Sequence, residues 1–239
     1  PFAGSTKILK YNLDGTFVTD YDLGERLNKP KLSLNPDGSI SLVHLCFQGM
    51  SEMMGAVITP DSTITKYIPA PGQAINPRDK NGSFVGFNNE IWSYNNVEGF
   101  KYMMMPVDTL YNYNAAANKM EAQFALSNPP VGEDVFLIYD ELPGKYLATV
   151  WGKGTIVVDN KNNNSHYVKL VNDYFGGLPA PMNFTNGWFF AMYEPAVLME
   201  NIEKRMAASD CTDKELLKGL LESLDENDNN VMFIGKLKK

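Results

Sequence analysis

The chain has 239 residues, 44% of them apolar and 21% charged, a composition that buries a real core and argues against a disordered chain. Its net charge of -7 argues against a nucleic-acid partner, because binding a phosphate backbone needs a Lys/Arg surface that releases counterions. Two cysteines, Cys46 and Cys211, exclude a disulfide framework and leave a single bridge between them open.

In chain order, the recurring unit is a turn of Asn, Asp, Gly or Pro between two short runs of β-branched and aromatic residues. The first copy places strands at 8–11 and 17–21 around Asp14-Gly15, a pair suited to a hairpin turn. The second surrounds Pro36-Asp37-Gly38 and leads into a strand over 40–47. There Ile40, Leu42 and Cys46 fall on one parity and Val43, Leu45 and Phe47 on the other, so the strand is expected to be covered on both faces. Further copies follow at 57–68 around Pro60-Asp61, at 83–94 around Asn88-Asn89, and at 107–126 around an Asn/Ala-rich turn. Strands at 135–139, 146–151 and 155–171 complete the series, the last interrupted by a polar run at 159–165.

No helical period separates these strands, which favours sheets alone over alternating βα units. Grouped in fours they give about 45 residues per unit, the size of one propeller blade, so the fold class read here is all-β: a β-propeller of four-stranded antiparallel blades. Residues 1–239 read as one propeller domain with a helical insertion at about 197–224 in its last blade. Within it, Thr212 and Glu215 suit a capping box, and Leu216, Leu217, Leu220, Leu221 and Leu224 form an apolar stripe. A final strand is expected over 231–237.

Two stretches carry a resemblance beyond this pattern: Tyr167 to Pro181, with its Asn172-Asp173 and Gly176-Gly177-Leu178-Pro179, and Leu216 to Lys238, with its acidic turn and apolar closing strand. Both resemble the C-terminal blades of six-bladed β-propellers of Bacteroidetes, relatives of NHL-repeat and TolB-like propellers; Asn230 departs by standing where Pro is usual. The resemblance implies a six-fold ring with blade material N-terminal to Pro1. It also implies a periplasmic or outer-membrane lipoprotein, held to the membrane only through a lipid anchor outside this sequence, and a link to carbohydrate uptake.

Candidates for chemistry are weak one by one. His44 sits among apolar residues, where a hydrogen-bonded core histidine is expected, and His166 lies beside a polar turn. Asp225, Asn227 and Asn229 have the spacing of calcium ligands, but Asn230 and Lys236 occupy the positions that require Gly and Glu. No catalytic residue, metal ligand or cofactor site is therefore assigned. The expected function is a non-enzymatic binding module of the cell envelope with a glycan or an envelope protein as partner. Asn88, Asn89, Trp92 and Tyr94, mixing amides with rings near a turn, are the expected ligand-binding surface. The alternative is a polysaccharide hydrolase or lyase using carboxylates such as Glu90, Asp134 and Asp140 at the central face.

Overall fold

The computed structural model describes residues 6–105, 107–127, 137–180 and 183–238, the Phe87 side chain excepted. The chain divides into two compact units, 1–130 and 131–239. Both are built from antiparallel meanders.

In the first unit, β1 (Lys7–Tyr11) and β2 (Phe17–Asp22) form a hairpin. It is followed by a four-stranded sheet of β3 (Lys31–Leu34), β4 (Ile40–Val43), β5 (Gly55–Ile58) and β6 (Ile64–Tyr67). A second four-stranded sheet holds β7 (Ile91–Trp92), β8 (Phe100–Met104), β9 (Leu110–Asn114) and β10 (Lys119–Phe124). The second unit opens with β11 (Leu137–Leu142), β12 (Lys145–Val150), β13 (Gly154–Asp159) and β14 (Ser165–Val168), again four strands in sequence order. A short pair, β15 (Val171–Asn172) and β16 (Leu178–Pro179), precedes a three-stranded sheet of β17 (Asn183–Thr185), β18 (Trp188–Tyr193) and β19 (Val231–Lys236). Helices α1 (Pro195–Ala207) and α2 (Lys214–Glu222) lie in the chain between β18 and β19. Sequential four-stranded meanders are the blades of a β-propeller, so the chain is an all-β propeller with helices before its last strand.

The turns share one chemistry. In Asn12–Thr16, Asn35–Ser39 and Thr59–Thr63 the first residue's N–H donates to the fifth residue's carbonyl, and the fourth residue has positive φ: Gly15 at 87°, Gly38 at 82°, Ser62 at 69°. The third residue is always Asp, and its carboxylate accepts the fifth residue's N–H, from Thr16, Ser39 and Thr63 in turn. These bonds favour the ionised form and hold all three carboxyls below the usual carboxylate range. The leading cause is the Thr16 amide at Asp14, the Ser39 hydroxyl at Asp37 and the Thr59 hydroxyl at Asp61. At Asp14-Gly15 only the glycine has positive φ, and the register shifts between Lys10 and Tyr11, so this turn carries a bulge where a two-residue loop would have none.

The expected pairing around Asn88-Asn89 is corrected by the structure. A turn of the same kind instead forms at Asp79–Ser83, with Gly82 at φ 81°, and Arg78 bridges to Phe84. Residues Gly86–Asn88 then form a 3-10 turn. The extended strand predicted over 40–47 also stops at Val43, although every side chain from Ser41 to Phe47 is buried.

Face parity explains how the first unit packs. On the β3–β6 sheet, Leu42, Ala56 and Ile58 share a cluster with Ile8 and Tyr21 of the hairpin, while Val43 and Val57 join Phe100, Tyr102 and Tyr113 of the next sheet. Successive side chains of β5 thus point to opposite cores, the condition for a blade held on both faces. Gly55 sets the distance on one side: a Cβ there would lie 2.7 Å from the Leu42 carbonyl oxygen and 2.8 Å from the Met120 Cε. From β9–β10, Tyr113 meets Tyr67 edge-on at 6.4 Å, and Asn118 donates 3.1 Å to the Lys66 carbonyl.

In the second unit the three-stranded sheet covers its own helices. Ala191, Tyr193 and Phe233 pack with Leu198 and Ile202 of α1 and Leu217 of α2. The cap of α2 is Asp213, whose carboxylate accepts the Leu216 N–H at 3.0 Å, in place of the predicted Thr212 box. Gly176 and Gly177 both have positive φ, and a Cβ on either would strike Leu217 or Arg205. Arg205 fills that space, donating 2.6 Å to the Gly176 carbonyl and pairing with Asp210 at 2.6 Å.

Replacing Gly55 with Ala should destabilise the first unit by about 1–3 kcal/mol, since backbone lies in the path of the new methyl. A urea titration checks this; an unchanged midpoint would remove Gly55 from its spacing role.

Candidate functional site

A concavity of about 80 Å³ lies within the first unit. Its position follows from strand register. Tyr102 of β8 and Tyr111 of β9 are direct cross-strand partners, and their rings stack at 5.7 Å with planes 20° apart. Met104 lies two residues beyond Tyr102 on the same face, and Met54, just before β5, closes the site from the preceding sheet. Val107 and the turn at Gly72 and Gln73 complete it.

Two polar groups here are distinctive. The Gln73 Oε1 accepts from the Tyr67 hydroxyl at 3.0 Å and from the Ala70 N–H at 2.6 Å, which fixes the amide and leaves Nε2 with no protein acceptor. Tyr102 is 1% exposed, and its hydroxyl, which makes no hydrogen bond to the protein, retains contact with solvent. Burial, followed by the nearby tyrosines Tyr111, Tyr67 and Tyr113, pushes that hydroxyl well above its ordinary pKa, so it stays a neutral donor.

The four residues expected as a ligand surface lie elsewhere. Asn88 is exposed at the end of the 3-10 turn. The Asn89 side chain donates 3.3 Å to the Met105 carbonyl, and its own carbonyl accepts from the Lys29 ammonium at 2.8 Å. Trp92 is half-buried and pairs with Met103, which puts it on the sheet face opposite Tyr102 and Met104. Tyr94 is half-buried beyond the end of β7. The backbone strings these residues together along one segment without directing them into the concavity. Local composition does not join Tyr102, Tyr111 and Gln73, because Tyr111 is set opposite Tyr102 by pairing and Gln73 arrives from a separate turn. The alternation of Tyr and Met through Tyr102, Met104, Tyr111 and Tyr113 was the available signal.

Of the carboxylates considered for hydrolysis, Glu90 pairs with Lys29 and Asp140 lies in β11, while Asp134 falls outside the described residues. Asp225 accepts the Asn227 N–H at 2.9 Å and its amide at 3.0 Å, which accounts for the acidic run as a self-bonded turn. Among the described residues, no three His, Cys, Asp or Glu side chains are grouped as metal ligands. Cys46 and Cys211 are both free thiols, and burial pushes Cys46 up to about 11, with Glu25 adding to the shift.

His44 is a structural residue. It is 0% exposed, accepts the Asn28 N–H at Nδ1 over 3.3 Å, and donates from Nε2 to the Met53 carbonyl at 3.0 Å. Burial depresses its pKa from 6.5 to about 4. Because the unfolded chain takes up a proton first, this contribution is complete above pH 6.5 and is lost as pH falls toward 4. The full shift corresponds to roughly 3 kcal/mol. Denaturant midpoints should therefore fall between pH 7 and pH 4.5, and fall less in a His44→Gln variant. Equal pH slopes in the two proteins would exclude His44 as the source.

The fold has a solved counterpart. The chain is similar to a protein of Bacteroides fragilis NCTC 9343 described as a "Putative exported protein", with a TM-score of 0.55 at 13% identity, covering 98% of this chain and 72% of that one. No family model and no curated protein matches the sequence. At this identity the likeness concerns the fold. Among the described residues no helix is long and apolar enough to cross a membrane.

Proposed function

We propose that the chain is part of an exported, non-catalytic carbohydrate-binding module of the bacterial cell envelope. In this reading it belongs to a six-bladed ring of the NHL/TolB type, tethered by a lipid anchor and serving glycan uptake. The observation that carries the binding role is the Tyr102 hydroxyl, which has no protein partner and stands at a concavity walled by a stacked tyrosine pair. A ligand acceptor would pair that donor, a hydrogen bond worth about 0.5–1.5 kcal/mol net. Aromatic rings with a few aimed polar groups are the usual lining of a small-molecule site. The exported description of the structural neighbour supports the envelope location. Asn88, Asn89, Trp92 and Tyr94 are proposed as a second, shallower surface for a longer glycan.

Neutral oligosaccharides on a glycan array should retain the protein and should not be cleaved, with no new reducing ends on prolonged incubation. Tyr111→Ala should weaken retention at least tenfold, about 1.4 kcal/mol, as expected for losing a stacking wall. Retention unchanged in Tyr111→Ala, or recovery of the native protein from the cytosolic fraction of its host, would count against the binding site and the location respectively.

A further inference from the structure

The concavity's lining selects among neutral ligands. At about 80 Å³ the concavity lies well below the roughly 300–1,000 Å³ of sites that enclose a drug-sized ligand. That is too small for a whole pyranose ring with its hydroxyls, and right for one substituent of a sugar. Met54, Met104 and Val107 supply an apolar wall that suits a methyl group, and the unbranched methionines can adjust to its shape. Two donors, Gln73 Nε2 and the Tyr102 hydroxyl, have no protein acceptor. The complementary ligand therefore brings an acceptor with two lone pairs, and a carbonyl oxygen has them. No lining residue is ionised, so a buried carboxylate, phosphate or ammonium would lack a counter-charge.

Methyl, carbonyl, small size and neutrality together describe an acetamido group. Resting on the reading of this concavity as a glycan site, we propose that it seats the N-acetyl group of an amino sugar. The methyl lies against Met54 and Met104, the carbonyl oxygen accepts from Gln73 and Tyr102, and the pyranose ring stays outside against the half-buried Tyr111.

The test is calorimetric titration of the chain with N,N′-diacetylchitobiose and with cellobiose, which share a backbone and differ in the acetamido groups. The acetylated disaccharide should bind at least tenfold more tightly. Tyr102→Phe, which keeps the ring stack, should reduce that preference by about three- to tenfold, the worth of one neutral hydrogen bond. Gln73→Leu should do the same, with thermal melts of both variants confirming that they fold. Equal affinities for the two sugars would overturn the acetamido assignment, as would a preference unchanged in both variants. If cellobiose binds equally well and Tyr111→Ala abolishes it, the carbohydrate reading stands and the acetamido seat fails. If neither sugar binds, both fail.

Discussion

The close approach at Gly55 is the constraint on which the first unit depends. A four-stranded sheet of short strands has little core of its own and must cover both faces with neighbours. With no side chain at Gly55, Met120 and Tyr113 of the next sheet come down onto the β5 backbone. The neighbouring residues then sort by parity, Ala56 and Ile58 toward the hairpin and Val57 toward the β7–β10 sheet. The same approach brings Met54 to Tyr102 and Tyr111, so the interface that stabilises the unit also builds its concavity.

The second unit meets an equivalent need with different parts. Its last sheet lies against two helices of its own, and the junction is the pair Gly176-Gly177, where the absence of side chains admits Leu217 and Arg205. Arg205 satisfies the Gly176 carbonyl, and Asp210, held below the usual carboxylate range chiefly by its hydrogen bond to that guanidinium, fixes the arginine. The glycines here are a packing requirement as well as a turn requirement.

Function in such a scaffold comes from what the interfaces leave unfilled. The Gln73 amide nitrogen and the Tyr102 hydroxyl, which lack protein acceptors, differ from His44, where both ring nitrogens are satisfied and the residue contributes to the core alone. Completeness of hydrogen bonding separates a structural polar residue from one poised for a ligand.

The sequence by itself determined the strand series, the turn positions and the all-β class, because period-two apolar patterning and turn residues that favour positive φ act locally. Asp14-Gly15, Asp37-Gly38 and the leucine stripe of α2 were legible for that reason. The resemblance at Tyr167 to Pro181 marked the Gly-Gly pair, though not the arginine that fills it. Only the tertiary structure decided that Trp92 faces away from Tyr102, that the turn before β7 forms at Asp79 and not at Asn88, and that Asp213 caps α2. It alone joined Met54, Gln73 and Tyr111, which come from three separate segments. Cross-strand register and sheet stacking place such residues together, and neither leaves a mark on any single stretch of chain, since a one-residue change of register reverses every side chain's face.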